Sequence, residues 1–272
     1  MLATESPILI FGCGNMGGAM LGGWIAGGNE PSRFVVVDPV ASGLPDGVAV
    51  HRSVSDIAQT FDTVLLGIKP QLIGELVSDI MPLLNPDALV ISILAGTEAG
   101  TLSGHFPTAK IVRLMPNLAA AIGKSPLGIW SSHLDQTERN DLEDMLAPLG
   151  TPVWLTEERH MNAVTALAGS GPAFVFRIID ALAKGGADLG LPAATASQLA
   201  LVMVEGAAQL AAQSGESPNA LAARVTSPGG TTAAGLAVLD KADSLANLLE
   251  TTLRAAAERG AELARPTSGD KV

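Results

Sequence analysis

The stretch Ile8-Leu9-Ile10-Phe11-Gly12-Cys13-Gly14-Asn15-Met16-Gly17 places a short apolar strand directly before a Gly-x-Gly-x-x-Gly turn. The first glycine of such a turn permits the sharp bend, the second lets the backbone approach a pyrophosphate, and the third lets the next helix pack closely. A helical pattern follows from Met16 to Ala26, and the N–H groups at its start face the phosphates. The stretch therefore predicts a dinucleotide-binding turn. Its candidate binding residues are Gly12, Gly14, Asn15, Met16 and Gly17.

The rest of the chain predicts two domains of different type. Up to about residue 155, short apolar runs alternate with helical patterns, which is typical of parallel strands joined by crossover helices. Beyond Glu157, glycine and proline separate long segments rich in alanine and leucine, which predicts an all-helical half. We therefore expect an α/β chain with a Rossmann domain over 1–156 and an all-helical dimerisation and substrate-binding domain over 157–272. The expected strands are Ile8–Phe11, Phe34–Val37, Thr63–Leu66, Leu89–Ile93, Ile111–Leu114, Gly128–Trp130 and Val153–Leu155.

Composition excludes several classes of function. A net charge of −11 and a pI near 4.7 disfavour contact with phosphate backbones and anionic lipid, so no nucleic acid or membrane partner is expected. The single cysteine, Cys13, excludes a disulfide framework and a Cys/His zinc cluster, so we expect a cytoplasmic protein without a metal. Met1–Pro7 carries an acid and no Lys or Arg, so no signal peptide is expected.

The helical half has little polar surface for a domain that stands alone. Its most apolar long stretch, Ala196–Ala212, holds Gln198 and Glu205 near its middle, which favours a buried helix over a membrane span. A small helical domain cannot hide this much apolar area by itself. We therefore expect a homodimer through this half.

The end of the second expected strand bears on the choice of cofactor. Val37 is followed by Asp38, about twenty residues after the last glycine of the turn. An acid there accepts hydrogen bonds from the adenosine ribose and repels a 2′-phosphate, which favours NADH. The alternative is that Asp38, followed by Pro39, only starts a turn. Arg33 and Arg52 are the nearest cations that would allow NADPH, so the preference between NADH and NADPH stays open.

Two later strand ends point to the same crevice. The third expected strand is followed by Ile68, Lys69 and Pro70, and the fourth by Ala95 and Gly96. Ligands bind such sheets beyond the carboxyl ends of the strands, so these residues are further cofactor-binding candidates. The alternative for the lysine is an ordinary exposed loop position.

Two patterns in the helical half are not generic. They are Ala168-Gly169-Ser170-Gly171-Pro172-Ala173-Phe174 and Thr226-Ser227-Pro228-Gly229-Gly230-Thr231-Thr232. Together with Gly12-x-Gly14-x-Met16-Gly17, Lys69-Pro70 and Met115-Pro116-Asn117, they resemble the pyrroline-5-carboxylate reductase family, in one colinear order over about residues 8–264.

The resemblance implies a Rossmann domain followed by a helical domain that interlocks two subunits, which some members assemble further into rings of five dimers. It implies hydride transfer from NADPH or NADH to the C=N carbon of 1-pyrroline-5-carboxylate, giving L-proline in the last step of proline biosynthesis. It also implies that the loop Ser227–Thr232 covers the nicotinamide bound to the partner subunit.

The loop Ser227–Thr232 has a physical reason to bind a carboxylate. It precedes the helical pattern Thr231–Asp240, whose first N–H groups have no partner within the helix. By the resemblance, the Thr232 hydroxyl faces the ring nitrogen and Thr231 contributes its backbone N–H. The alternative is that Ser227 or Thr231 only caps the helix. The candidate substrate-site residues are Ser227, Gly229, Gly230, Thr231 and Thr232.

The chain departs from the family pattern at several positions. Leu118-Ala119 replaces the usual Thr-Pro, Phe174 is the aromatic in a chain without Tyr, Asn162 replaces the usual Asp, and Asp38 differs from the endings of NADPH-preferring members. No strong general acid is evident among these motifs. A cyclic imine that enters already protonated needs none, so positioning and exclusion of water carry the chemistry.

Three other functions remain as alternatives. A 2-hydroxyacid-type dehydrogenase also joins a Rossmann domain to a helical one, but it needs a Lys base that the segment Ala173–Arg177 lacks. A reductase of a related six-membered cyclic imine carboxylate shares every feature above. A non-catalytic NAD(P)-sensing dimer would keep the fold, although it would not need the loop Ser227–Thr232.

Overall fold

The chain forms two compact units. The computed structural model describes residues 6–263, so the expectations for residues 1–5 and 264–272 lie outside the described residues. Among the described residues, one unit comprises 6–170 and 256–263, and the other is Gly171–Ala255. The last strand ends at Trp154, while the packing changes only after Ser170. The domain boundary expected near Thr156 stays a prediction.

The first unit contains one twisted layer of strands with helices on its faces. The strands are β1 (Ile8–Phe11), β2 (Phe34–Val37), β3 (Ala49–His51), β4 (Phe61–Leu66), β5 (Leu84–Ser92), β6 (Lys110–Met115), β7 (Ser125–Trp130) and β8 (Gly150–Trp154). The helices are α1 (Asn15–Ala26), α2 (Ile73–Ile80), α3 (Ala99–His105), α4 (Gln136–Leu146) and α5 (Met161–Val164). The sheet order is β3-β2-β1-β4-β5-β6-β7-β8, which confirms the predicted Rossmann-type architecture.

The order of the strands creates a switch point beside β1. The chain moves outward from β1 through β2 to β3, and then returns to β4 on the other side of β1. The pairs Ile8↔Phe34 and Ile8↔Thr63 are both parallel, so β1, β2 and β4 end at the same edge. Sheets of this kind bind their ligands in the crevice at that edge.

The two faces of the sheet carry separate cores because side chains alternate along each strand. Ile10 packs on one face with Trp24 of α1, and both are almost fully buried. Leu9 packs on the opposite face with Ile80 of α2 and Leu102 of α3. Burial on both faces explains why the central strands read as continuous apolar runs.

Two features of the sheet correct the expectation. The strand β3 was not predicted, because its three residues are largely exposed at the sheet edge and carry little apolar signal. The expectation of parallel strands is wrong for β7, which pairs antiparallel with β6 through Leu114↔Ile129, and for β8, which runs in the same direction as β7. A parallel crossover needs about a dozen residues or more, and the segment 116–124 is too short for one.

The second half is helical, as predicted. Its helices are α6 (Gly171–Asp188), α7 (Ala193–Ser214), α8 (Pro218–Arg224), α9 (Thr231–Leu239) and α10 (Ser244–Leu263). The first two pack against each other. Helix α8 begins with proline at its first position, and the Ser217 hydroxyl accepts a hydrogen bond from Ala220 N–H as its cap.

Most apolar side chains of this half are exposed in the single chain. In α7, which contains Ala196–Ala212, only Ala196 and Ala200 are buried, so the expected burial of this stretch is not met within one subunit. The continuous helical run Glu158–Asp188 is long and apolar enough to cross a membrane by length and composition, and only 11% of its apolar 18-residue stretch is buried. The apolar faces of α6 and α7 therefore need a covering surface.

Candidate active site

The backbone of the glycine-rich turn leaves no room for a side chain at the first and third glycines. Gly12 has a φ of +89°, and a Cβ there would lie 2.8 Å from the backbone of Ile68. A Cβ on Gly17 would lie 2.7 Å from the Gly12 carbonyl oxygen, so the third glycine allows helix α1 to pack on the turn. A Cβ on Gly14 would meet nothing within 4 Å. The second glycine therefore faces open space of the kind that a pyrophosphate occupies.

A cleft of about 500 Å³ lies at the switch point, where β1 and β4 end. We call it the switch-point cleft. It is lined by Phe11, Gly12, Gly14, Val37, Asp38, Pro39, Val40, Arg52, Ser53, Val54, Gly67, Ile68, Lys69, Leu72, Glu75, Leu76 and Asp79. Gly12 N–H donates to the Val37 carbonyl at 2.9 Å, and Gly67 N–H donates to the Phe11 carbonyl at 2.8 Å. These bonds fix the turn between the ends of the three strands.

Some of the predicted cofactor residues line the switch-point cleft, and the others lie in neighbouring segments. Gly12, Gly14, Asp38, Ile68 and Lys69 line the switch-point cleft. Asn15, Met16 and Gly17 form the first turn of α1, and Pro70 starts a short 3-10 turn after Lys69. Ala95 and Gly96 follow β5, and Gly96 lines a separate small cavity.

The Asp38 carboxylate holds two segments of the cleft together. One oxygen, Oδ2, accepts from Cys13 N–H at 2.8 Å, and the other accepts from Val40 N–H at 2.9 Å. The side chain is buried, with 8% of its surface exposed. Asp38 thus links the glycine-rich turn to the loop after β2 by hydrogen bonds, and it also lines the cleft.

Part of the cleft lies beside β3, which the sequence pattern did not predict. Arg52 and Ser53 directly follow β3 and line the cleft, although only the arginine was considered, as one of the two nearest cations. The parallel pair Val37↔His51 brings the end of β3 beside the end of β2. The alternation in Ala49–His51 was the one available signal, and it is too short to identify an edge strand by itself.

A partly buried ion pair supports the segment after β5. Arg113 on β6 is 4% exposed, and its Nη1 lies 2.8 Å from Glu158 Oε1. The same oxygen accepts from Ala99 N–H, at the start of α3, at 2.6 Å. Both residues of the pair line the small cavity with Gly96. Glu158 therefore ties β6 to the segment that carries the predicted cofactor residues Ala95 and Gly96.

Two of the motifs from the sequence meet through one hydrogen bond. A π-type turn spans Thr165–Gly169, and the Ala168 carbonyl accepts from Asn117 Nδ2 at 2.9 Å. Pro172 has no N–H for the carbonyl four residues before it, so Ala168 needs another donor. Asn117 Oδ1 also accepts from Ala119 N–H. Asn117 thereby joins the end of β6 to the turn before α6.

The loop Ser227–Thr232 leads into an uncapped helix. Gly230 is the N-cap of α9 and supplies no side-chain cap, and Gly230 N–H donates back to the Ser227 carbonyl at 3.0 Å. Gly229 takes a φ of +70°, which permits this tight turn. The alternative that Ser227 or Thr231 caps the helix is wrong in this structure. The first N–H groups of α9 therefore lack a side-chain acceptor and can receive an anion.

The Cys13 thiol in the glycine-rich turn is a poor nucleophile. Burial, followed by the charge of Asp38, raises the pKa of the Cys13 thiol to about 11. Such a thiol stays protonated at neutral pH, and only the thiolate is a good nucleophile. Across residues 6–263, no group of three His, Cys, Asp or Glu side chains is close enough together to hold a metal ion.

Comparison with known families matches both parts of the chain. A family model described as pyrroline-5-carboxylate reductase dimerisation matches residues 158–263. A second model, described as NADP oxidoreductase coenzyme F420-dependent, matches residues 7–96. The second match covers the glycine-rich turn and both neighbouring strand ends.

Individual relatives match over nearly the whole length. A pyrroline-5-carboxylate reductase of Pseudomonas aeruginosa is 34% identical over 94% of this chain and 96% of that protein. Pyrroline-5-carboxylate reductase 2 of Bacillus subtilis is 36% identical over 91% of this chain and 92% of that protein.

Solved structures agree with these relatives. A pyrroline-5-carboxylate reductase from Coxiella burnetii superimposes with a TM-score of 0.84 at 31% identity, covering 96% of this chain and 100% of that one. A pyrroline carboxylate reductase from Plasmodium falciparum, solved with NADP bound, gives a TM-score of 0.84 at 25% identity, covering 96% and 99%. Sequence and fold agree over more than nine-tenths of the chain, and the chain belongs to the pyrroline-5-carboxylate reductase family.

Proposed function

We propose that this chain reduces 1-pyrroline-5-carboxylate to L-proline with NADH or NADPH, as the last step of proline biosynthesis. The observation that carries the proposal is the uncapped start of α9, where Gly230 provides no side-chain acceptor. Such an N-terminus suits the carboxylate of a small substrate. The relatives that share the whole chain are named for this reaction.

The residues of the switch-point cleft are proposed to bind the dinucleotide. The open space at Gly14 would admit the pyrophosphate. Gly14 is the N-cap of α1 and has no side chain to accept hydrogen bonds, so the first N–H groups of α1 would be available to the phosphates. Asp38 and Arg52 would lie at the adenosine ribose, beyond the ends of β2 and β3. When bound, the nicotinamide supplies a hydride to the carbon of the C=N bond.

The loop Ser227–Thr232 is proposed to bind the imine carboxylate. Thr231 N–H and its neighbours would donate to the carboxylate, and Gly229 and Gly230 would allow the ligand to approach the backbone. The hydroxyl of Thr232 is proposed to hold the ring nitrogen. Because the imine can enter protonated, the ring nitrogen needs no proton from the chain, and these residues act by binding and orientation.

A second copy of the chain is proposed to cover the apolar faces of α6 and α7. Phe176 is 63% exposed and Leu210 is 57% exposed in the single chain. The match to a dimerisation model over 158–263 supports a protein partner over a lipid bilayer. We propose a cytoplasmic homodimer, and a ring of such dimers as the larger assembly.

The proposal is tested by following oxidation of NADH and of NADPH with purified protein. Absorbance at the reduced nicotinamide band should fall only when 1-pyrroline-5-carboxylate is present, and proline should accumulate in equal amount. If neither cofactor is consumed at any imine concentration, the proposed reductase activity is wrong.

The same assay separates the alternatives. A six-membered cyclic imine carboxylate is supplied in a parallel reaction, and we expect the five-membered ring to give the higher kcat/KM. A reversed preference would assign the larger ring. Binding of the dinucleotide without turnover of either imine would indicate a sensing dimer.

A further inference from the structure

We propose that Arg52 binds the 2′-phosphate of NADPH, so that the switch-point cleft accepts NADPH although Asp38 stands at the end of β2. This inference rests on the proposed dinucleotide-dependent function. It concerns the residue that sets the choice between the two cofactors, which the sequence left open between Arg33 and Arg52.

Strand pairing places Arg52 at the adenosine end of the cleft. Val37 pairs with His51, and Asp38 N–H donates to the His51 carbonyl at 3.0 Å, so Arg52, the residue after β3, stands beside the loop that follows β2. The Arg52 guanidinium donates through Nη1 to the Pro39 carbonyl, directly after Asp38. The remaining N–H groups of a guanidinium stay available for an anion, because the group carries five donors.

The other nearby cation lies at the opposite end of β2. Arg33 immediately precedes β2, whereas ligands of such sheets bind beyond the carboxyl ends of the strands. Its Nη1 donates to Asn29 Oδ1 at 2.6 Å, and its Nε donates to the Ser6 carbonyl at 3.1 Å. Arg33 therefore anchors the amino end of the strand and does not line the cleft.

Lys69 is also in the cleft but at a different place. It follows β4, on the far side of β1 from β2 and β3. A phosphate on the adenosine ribose lies near the end of β2, so the strand order assigns it to Arg52. The preceding residue, Ile68, lies against Gly12 of the turn that is proposed to bind the pyrophosphate.

The Asp38 carboxylate is less of a barrier to a phosphate than its position suggests. Both of its oxygens already accept backbone N–H groups, from Cys13 and from Val40. Charge-assisted bonds of this kind hold the carboxylate in place and offset part of its negative field. Arg52 adds a positive charge on the neighbouring strand end, and an arginine fork matches phosphate geometry.

The test measures direct binding of NADPH and of NADH to the full-length protein by nicotinamide fluorescence, without imine. For Arg52→Ala we expect the Kd of NADPH to rise about tenfold or more, as for loss of a charge-assisted pair. The Kd of NADH should change by less than about twofold. Arg52→Lys should fall between, because a lysine keeps the charge and loses the fork.

Arg33→Ala is the matched control and should leave the ratio of the two Kd values unchanged. In a competition assay, 2′,5′-ADP should displace the dinucleotide from the parent protein better than 5′-AMP does, and this advantage should vanish in Arg52→Ala. Equal losses for NADPH and NADH, no loss for either, or a parent protein that binds NADH alone would overturn the role of Arg52. Failure of imine turnover with intact, Arg52-dependent NADPH binding would instead overturn the proposed reaction.

Discussion

Thr232 occupies the second position of α9, half-buried, next to N–H groups that no side chain caps. For Thr232→Ala we expect kcat/KM for the imine to fall roughly 10- to 100-fold, the usual cost of a lost hydrogen bond to a charged partner. The Kd of the dinucleotide should stay nearly constant. Steady-state kinetics and fluorescence binding give the two values.

The Thr231→Ala variant keeps its backbone N–H and should show a smaller fall in kcat/KM. The control is Thr137→Ala, at an exposed position of α4. Equal loss of turnover and of dinucleotide binding would contradict the proposed role.

Asp38 combines a structural role with a proposed effect on selectivity. In Asp38→Ser the shorter side chain leaves Cys13 N–H or Val40 N–H without its acceptor, which should lower the free energy of unfolding by about 1–3 kcal/mol. Loss of the negative charge should also move the preference toward NADPH. Urea unfolding measures the first effect, and the ratio of Kd values measures the second. Lower stability with an unchanged ratio would mean that Asp38 only holds the turn.

At the scale of elements, two glycines of the glycine-rich turn should affect different properties, one the affinity for the dinucleotide and the other the stability of the fold. For Gly14→Ala we expect the unfolding free energy to stay the same, because the new Cβ meets nothing within 4 Å. The methyl group should collide with the pyrophosphate and raise the Kd of the dinucleotide, by roughly tenfold if the clash costs 1–2 kcal/mol. Thermal unfolding and fluorescence titration check the two values.

Gly17→Ala should behave in the opposite way and is the matched comparison. Its Cβ would lie 2.7 Å from the Gly12 carbonyl oxygen, so the variant should lose about 1–3 kcal/mol of stability. If Gly14→Ala binds the dinucleotide as the parent does, the second glycine does not face the pyrophosphate.

The tie between β6 and the π-type turn also gives a prediction. In Asn117→Asp the carboxylate still accepts from Ala119 N–H but cannot donate to the Ala168 carbonyl. We expect a loss of about 1–3 kcal/mol of unfolding free energy, because a buried acceptor loses its partner. Asn140→Asp on the exposed face of α4 is the control and should unfold as the parent does. Equal stability of the two variants in urea would show that the bond contributes nothing.

The elements show what the sequence could and could not predict. Strands β1 and β2 were predicted to the residue, since both are fully buried and bounded by turn residues. Strand β5 begins earlier than expected, because Asn85-Pro86-Asp87 in its first half reads as a turn, and Asp87 has a φ of +59°. The reversal of β7 was missed because the predicted strands left residues 115–127 between them, about enough for a parallel crossover, whereas only the segment 116–124 separates the actual strands.

In the candidate site, the features set by neighbouring residues were predictable, and the contacts between residues far apart in the sequence were not. The glycine spacing and the position of Asp38 follow from local pattern and could be read directly. The contact of Asp38 with Cys13 joins residues 25 apart, and that of Asn117 with Ala168 joins residues 51 apart. No periodicity along the chain encodes such contacts.

At the scale of the whole molecule, the exposed apolar faces of α6 and α7 decide the assembly. No residue of α6 is buried in the single chain, and Phe176 is among its most exposed side chains. An apolar surface of this kind on a domain that matches a dimerisation model is expected to be covered by a second copy. A charge introduced on this surface would be buried without a partner in the dimer, so Phe176→Glu should dissociate the dimer.

Sedimentation velocity of the purified chain measures the outcome. We expect the parent protein to sediment as a dimer or a larger assembly, and Phe176→Glu to shift toward the 27.6 kDa monomer. Thr137→Glu adds the same charge on exposed α4 and should leave the assembly intact. Because the second unit buries so few of its apolar side chains, the dissociated variant should also unfold at a lower temperature, and its melting point should depend little on protein concentration. A Phe176→Glu protein that keeps the parent's mass would place the interface elsewhere on the helical half.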